Sequence, residues 1–172
     1  DICTISTDAQ AEVSPLAKPR PLGWTTFHDE FGSKGTRHVG SWANMLEMLE
    51  QPRVSLSKSG MPGWSPAYFA GNRRCSDNVL CVSAVILDYD ASEGATESVS
   101  IVEAVPGLTL ALHSSYSSSV EVPRYRVVFP LSRPVLADEY TRCWSKLMLV
   151  AERAGHRPGR VEHDACRFWF QP

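Results

Sequence analysis

Two aspartates at the end of an uncharged stretch are the residues of this sequence best suited to chemistry. The stretch is Val79–Asp90, VLCVSAVILDYD, which carries no charge before Asp88 and Asp90. Side chains two positions apart in a strand point the same way, so the two carboxylates would lie on one face, about 6–7 Å apart. Carboxylate oxygens are the ligands that Mg²⁺ and Mn²⁺ prefer. The other interpretation is a strand that ends in a polar turn, because Asp-Ala-Ser-Glu-Gly is typical of turns.

The segments around the aspartates predict alternating strands and helices. Hydrophobic periodicity predicts strands at Val79–Asp90, Leu108–Leu112, Tyr125–Leu131 and Cys166–Phe170. It predicts helices after Ser41, from Ser92 or Glu93 to Glu103, and over Glu139–Ala154 with Asp138 as the cap. A Ser-rich turn, His113–Ser119, follows the second strand. Alternation in the third strand puts Arg124, Arg126 and Val128 on one face and Tyr125, Val127 and Phe129 on the other.

The order of these elements predicts an α+β fold. The latter part follows the split β-α-β-β-α-β arrangement of an RRM-like domain, with a mixed or antiparallel central sheet and flanking helices. In that arrangement the first and third strands lie side by side. The ends of the first and second strands and the start of the last would then share one face. We expect a flexible lead-in over 1–23 and one domain over 24–172, with an N-terminal αβ extension (24–78) before the RRM-like core (79–172).

Composition excludes several classes of protein. The chain has 172 residues, 43% of them hydrophobic, and a net charge of −2, so any nucleic-acid contact must come from a local basic patch. Five cysteines without a CxxC pair argue against a zinc ribbon or a disulfide framework and suit a reducing cytosol, so we expect a cytoplasmic protein. No apolar run approaches about 18 residues, so no membrane span is predicted. The chain starts without Met or a signal peptide, which favours a piece of a longer protein, although cleavage would give the same start.

Three segments in order resemble the archaeo-eukaryotic primase superfamily. The closest likeness is to the primase-polymerase domains at the N-termini of plasmid and phage replication proteins. The segments are Lys58–Asp90, Leu112–Val135 and His163–Pro172. They carry a hydrophobic strand ending in Asp-x-Asp, a Ser/His turn, a Pro-Arg-x-Arg strand, and an acidic residue followed by Arg and an aromatic strand. The likeness covers roughly residues 40–172.

The resemblance implies a template-directed nucleotidyltransferase with DNA primase or DNA polymerase activity in plasmid or phage replication. Asp88, Asp90 and Asp164 would be the catalytic residues and would hold two Mg²⁺ or Mn²⁺ ions. Glu162 competes for the third position, but Asp164 fits the acidic-x-x-Arg pattern better. The implied partners are nucleoside triphosphates, a single-stranded or primed DNA template, and a helicase to which such a domain is fused or with which it works.

The same resemblance assigns residues that contact the incoming nucleotide. They are Ser115, Ser117, Arg124, Arg126 and Arg167. For Arg167, an ion pair with Asp164 or Glu162 is an equal alternative.

Two further sets of residues could contact nucleic acid. Lys58, Arg73 and Arg74 are a candidate patch along strand phosphates, with a solvated basic loop as the alternative. Trp64, Tyr68 and Phe69 could stack on template bases, but core packing is the preferred interpretation.

The Ser/His turn departs from the family pattern. Many members carry Ser-x-His, whereas this chain has a His only at the start of the turn, and we favour a structural role for His113. One alternative function is therefore a non-catalytic module of the same fold that binds single-stranded nucleic acid. Another is a haloacid-dehalogenase-type phosphatase, whose nucleophile also lies in a strand-end Asp-x-Asp. It is disfavoured because 87 residues precede Asp88, whereas that motif normally opens the domain.

Overall fold

The predicted strands and helices mostly form, with shifted ends. The structure, a computed structural model, describes residues 20–30, 34–51, 57–71, 73–90, 105–156, 158 and 164–172. The strands are β1 (Leu22–Phe27), β2 (Gly35–Gly40), β3 (Gly63–Ser65), β4 (Ala67–Phe69), β5 (Val79–Asp90), β6 (Ala111–Ser114), β7 (Arg124–Val135) and β8 (Trp169–Phe170). The helices are α1 (Trp42–Leu49) and α2 (Ala137–Arg153), and a 3-10 turn covers Ser76–Asn78. None of the described helices is both long enough and apolar enough to cross a membrane.

The described strands form two four-stranded antiparallel sheets. The first has the order β2-β1-β3-β8 and the second β4-β5-β7-β6. Only Pro66 separates β3 from β4, so the chain passes directly from one sheet into the other. In the second sheet β5 and β7 pair antiparallel, with Asp88 opposite Arg126 and Asp90 opposite Arg124. The α+β class is therefore confirmed, and the first and third strands of the predicted core are neighbours.

The last strand departs from the predicted RRM-like order. That order places the last strand beside the first, but β8 pairs with β3 in the first sheet, and β4 lies beside β5 instead. Trp169 explains this position, since its side chain is buried in the apolar cluster between the sheets together with Trp64 of β3. The single central sheet is thus replaced by two sheets. The helix predicted from Ser92 or Glu93 to Glu103 lies outside the described residues.

Several predicted boundaries are corrected. Ser41 caps α1 as expected, and its hydroxyl accepts a hydrogen bond from the Asn44 N–H at 3.3 Å. The second helix begins at Ala137 after Leu136, so Asp138 lies in its first turn rather than at the cap. A carboxylate there still interacts favourably with the helix dipole. The strand predicted over Leu108–Leu112 covers Ala111–Ser114, and the last strand is confined to Trp169–Phe170.

The two faces of β5 pack against different partners. Val85, Leu87 and Tyr89 join the cluster that contains α2, whereas Ala84 and Ile86 join the cluster between the two sheets. Because side chains alternate along a strand, Asp88 and Asp90 lie on the face of Ile86. The aspartates therefore continue the inter-sheet face at the end of the strand, beyond its apolar part.

Candidate active site

A pocket of about 410 Å³ lies at the C-terminal end of β5. This is within the roughly 300–1,000 Å³ usual for small-molecule sites. Residues from five segments line it: Lys58; Asp88, Tyr89 and Asp90; Ser115, Tyr116 and Ser117; Arg124 and Arg126; and Arg167, Phe168, Trp169 and Phe170. Most of the residues predicted to act on metal or nucleotide are thus brought together. The lining residues that were not predicted as site residues are Tyr89, Tyr116, Phe168, Trp169 and Phe170, although an aromatic run beside Arg167 was visible in the sequence.

The acidic and basic groups form cross-strand rows. Asp88 of β5 lies opposite Arg126 of β7, which lies opposite His113 of β6. In the next row Asp90 lies opposite Arg124, whose carbonyl accepts a hydrogen bond from the Ser115 N–H at 2.9 Å. Directly opposite residues share a face of the sheet. One face therefore presents carboxylates, guanidinium groups and polar turn residues side by side.

Each aspartate forms an ion pair with the arginine opposite it. Arg124 Nε lies 3.1 Å from Asp90 Oδ1, and Arg126 Nε lies 3.3 Å from Asp88 Oδ1. The pairs differ in exposure: the Arg126 side chain is 9% exposed and that of Asp88 37%, whereas Arg124 and Asp90 are 34% and 24% exposed. The Asp88 carboxylate can therefore be reached from solvent, while its guanidinium partner cannot.

The environment of Arg126 concentrates positive charge beneath the pocket. Its Nη1 donates a hydrogen bond to the Phe170 carbonyl at 3.1 Å, and its guanidinium lies 4.9 Å from the centre of the Trp169 ring. Arg167 lies 5.4 Å from the same ring. Burial lowers the pKa of Arg126, and the Asp88 carboxylate opposes that shift. Four basic and two acidic side chains line the pocket, a balance that favours a polyanion such as a triphosphate.

Hydrogen bonds within the Ser-rich turn hold its backbone in place. The Ser118 hydroxyl accepts from the Arg124 N–H and the Ser119 hydroxyl from the Val122 N–H, both at 3.0 Å. These two serines are therefore used structurally. Ser115 and Ser117, which the resemblance assigned to nucleotide contact, line the pocket.

His113 is neutral at physiological pH. Its Nδ1–H donates to the Ser114 carbonyl at 2.9 Å, and Nε2 is buried with no hydrogen-bond partner in the described part of the chain. Burial lowers the pKa of His113 to about 4; the Ser114 hydrogen bond opposes the shift and the charge of Arg126 adds to it. His113 therefore lies on the same face of the sheet as Asp88 and Arg126, which its position in the sequence did not indicate. Because it is neutral, it supplies no positive charge to that face.

Asp164 does not line the pocket with Asp88 and Asp90. Its carboxylate accepts from the Cys166 N–H at 3.0 Å, and the Cys166 thiol lies 3.5 Å from Ser76 Oγ, before the start of β5. The pKa of Tyr140 is raised mainly by burial and to a smaller degree by the charge of Asp164. Tyr140 packs in the cluster of α2, on the face of the second sheet that does not carry Asp88 and Asp90. Glu162 lies outside the described residues. Among the residues that are described, no three acidic, His or Cys side chains form a group able to hold a metal ion.

Comparison with known proteins identifies the family. The VapE N-terminal domain family model matches residues 33–155, more than two thirds of the chain. The chain belongs to the VapE N-terminal domain family. A search of curated proteins found no match.

The VapE N-terminal domain is also similar to a solved structure, the AEP domain of the Cyanophage S-2L primase-polymerase. The two are 9% identical, with a TM-score of 0.47, and the match covers 90% of this chain and 74% of the other. These values are too low to carry an assignment of activity. The resemblance stated from the sequence is confirmed by the family match.

The donor set of this VapE N-terminal domain fits a divalent metal in part. Asp88 and Asp90 share one face and are both partly exposed, so their oxygens suit Mg²⁺ or Mn²⁺. Each carboxylate also faces an arginine, with which a metal ion must compete. The described residues bring no third carboxylate to the pair, so they fit one ion better than two.

The predicted basic patch is divided between different environments. Lys58 lines the pocket, whereas the Arg74 Nη2 donates to the Glu30 carbonyl at 3.2 Å and its guanidinium lies 5.3 Å from the Phe168 ring centre. Arg73 is exposed, and its carbonyl accepts from Asn78. Of the three residues, Lys58 alone lies in the pocket lining.

The predicted aromatic cluster belongs to the core. Trp64 is 0% and Phe69 2% exposed, so the preferred packing interpretation is confirmed for both, and neither can stack on a template base. Tyr68 is half-buried under the Arg37 guanidinium, 5.7 Å from its ring centre, away from the pocket lining.

Proposed function

We propose that this VapE N-terminal domain binds a nucleoside triphosphate in the pocket at the end of β5 and transfers its nucleotidyl group to a strand paired with a DNA template. The observation that supports this most is the shared face on which Asp88 and Asp90 meet Arg124 and Arg126. The reaction joins the strand's 3′-oxygen to the α-phosphorus, breaks the α–β phosphoanhydride bond, and releases pyrophosphate and the hydroxyl proton.

The chain's own residues would bind and orient the triphosphate. Arg124 and Arg167 supply guanidinium groups that suit bidentate phosphate contact, and the Ser115 and Ser117 hydroxyls can donate to phosphate oxygens. Arg126 is already held by Asp88 and the Phe170 carbonyl, so it acts as a fixed positive charge under the site.

Asp88 and Asp90 would hold Mg²⁺ or Mn²⁺. Bound there, such an ion would favour ionisation of the 3′-hydroxyl and stabilise the leaving pyrophosphate. Asp164 remains a proposed third ligand, which requires its carboxylate to leave the Cys166 N–H, and Glu162 is the other candidate. A helicase partner stays a prediction from the resemblance.

Template-directed incorporation of a labelled nucleotide with Mg²⁺ or Mn²⁺ tests the proposal. We expect Asp90→Asn and Arg124→Gln each to reduce incorporation by roughly 10²–10³-fold, as for other removed electrostatic contacts at transition states. The matched control is Asp138→Asn, because Asp138 is also ion-paired, to Arg142 at 3.9 Å, but is 79% exposed and absent from the pocket lining.

The second candidate is a non-catalytic module that binds single-stranded nucleic acid. The position of Asp164, away from the pocket lining, favours it. Strand binding without incorporation, unaffected by Asp90→Asn, would support this candidate and refute the first. Phosphate release from a generic ester would instead support the phosphatase alternative.

A further inference from the structure

The last strand places two aromatic rings at one side of the pocket. In β8 and the residue before it, Trp169 is buried between the sheets, whereas Phe168 and Phe170 are only partly buried. The Phe168 and Phe170 rings lie 5.0 Å apart in an edge-to-face arrangement. Within the described residues, β8 is the edge strand of the first sheet and pairs with β3.

Phe168 packs on the backbone of β3, and each of the two rings has a cation over its face. A Cβ built on Gly63 would lie 2.1 Å from Phe168 Cζ, so the ring rests directly on the glycine backbone. Arg74 lies 5.3 Å from the Phe168 ring centre and Lys58 Nζ lies 4.9 Å from that of Phe170. The Phe168 ring is therefore held in a defined position against the Gly63 backbone.

Phe170 and Lys58, unlike Phe168 and Arg74, are available to contact a ligand in the pocket. Phe168 packs against the α2 cluster and Arg74 is hydrogen-bonded to Glu30, so both have structural roles. Lys58 is exposed and has no acidic partner in the described segments. The attraction of an exposed ammonium to a ring is weak, so the Lys58 tail can leave the Phe170 face. We call Phe170 together with Lys58 the Phe170 platform.

We propose that the Phe170 platform binds one nucleotide of a single-stranded nucleic acid, with the base stacked on Phe170 and the phosphate paired with Lys58. Aromatic rings flanked by cations are the usual means of holding single strands without sequence preference. The platform and the carboxylates line the same pocket, so the bound nucleotide would lie next to the triphosphate. The assignment of the strand as template rests on the proposed function; the stacking itself does not.

Binding of labelled oligothymidylate and of an abasic strand of equal length tests the platform, without metal or triphosphate. We expect the unchanged protein to prefer the base-bearing strand by about 5- to 150-fold, the effect of stacking one base. Phe170→Leu should lose most of this preference while abasic binding stays constant. Lys58→Gln should weaken both strands equally and reduce the slope of log K against log salt by about 0.7.

Tyr68→Leu is the matched control, since Tyr68 is also a partly buried ring under a cation but lies outside the pocket lining. It should leave the preference unchanged. Equal binding of the two strands by the unchanged protein, or an undiminished preference in Phe170→Leu, would overturn the proposal. So would a Phe170→Leu variant that weakens triphosphate binding alone, because the base on the ring would then be that of the incoming nucleotide.

Photocrosslinking of the unchanged protein gives a readout that no folding defect can affect. A strand carrying 5-iodouracil should form its adduct at Phe170 or the adjacent Phe168, and adducts confined to other segments would refute the platform. Both measurements are independent of incorporation. Base-dependent binding without incorporation would therefore support the platform and refute the proposed function. Incorporation without base-dependent binding would support the proposed function and refute the platform.

Discussion

Replacement of Asp88 by asparagine should destabilise the fold more than the same replacement at Asp90. Asp88→Asn leaves the buried Arg126 guanidinium without its carboxylate, although among the described residues the Phe170 carbonyl and the Trp169 ring still contact it. Asp90→Asn affects Arg124, whose side chain is 34% exposed and can be solvated instead. The two aspartates are thus alike in sequence context, but replacing Asp88 leaves a buried arginine unpaired with a carboxylate, whereas replacing Asp90 affects a partly exposed one.

The expected magnitudes follow from burial. Removing one partner of a buried ion pair destabilises by about 3–5 kcal/mol. The partial exposure of Asp88 reduces the expected effect to about 2–4 kcal/mol, since its carboxylate is not fully desolvated in the pair. A surface pair contributes about 0–1 kcal/mol, and because both side chains of the Arg124–Asp90 pair are partly exposed, we expect Asp90→Asn to fall near the upper end of that range. For a chain of this length the first change lowers Tm by roughly 5–15 °C and the second by less than about 4 °C.

Urea denaturation followed by tryptophan fluorescence measures both changes. The double variant Asp88→Asn/Arg126→Met completes a cycle and should be less destabilised than the sum of its two single variants, because the buried charge is removed as well. If Asp88→Asn is as stable as Asp90→Asn, or more stable than the unchanged protein, the inference from the burial of Arg126 is wrong. Activity losses in Asp88 variants have to be judged against this effect.

Three other changes have defined outcomes. Because the folded-state pKa of His113 is about 4, only the unfolded chain takes up this proton between pH 6.5 and 4. The free energy of unfolding should therefore decrease as the pH is lowered from 6.5 to 4. In urea denaturation, His113→Gln should show a decrease that is smaller by up to about 3 kcal/mol. Gly63→Ala would place a Cβ 2.1 Å from Phe168 Cζ and should lower the free energy of unfolding by about 1–3 kcal/mol; an unchanged Tm would contradict this contact. Arg124→Gln removes the ion pair between Arg124 and Asp90 and should tighten Mn²⁺ binding without nucleotide up to about fivefold by calorimetry, whereas weaker binding would show that the ion pair does not compete.

The alternation of side chains along strands was predictable from the sequence. An uncharged run ending in Asp88 and Asp90 forms a strand with the predicted ends, and the two carboxylates share a face. Arg124 and Arg126 share a face for the same reason, opposite to the buried Tyr125 and Val127. Period-two alternation is a property of a few consecutive residues, so the sequence alone determines it.

Only the tertiary structure decided which segments meet. The pairing of β8 with β3 brings Trp169 and Phe170 to the pocket, and in the turn before β8 the Asp164 carboxylate accepts from the Cys166 N–H, away from the pocket lining. The register between β6 and β7 brings His113 into the row of Asp88, although its spacing in the sequence gave no sign of this. Such pairings depend on the combined burial of side chains from distant segments, notably Trp64 and Trp169 in one core, and local periodicity contains no information about partners so far apart.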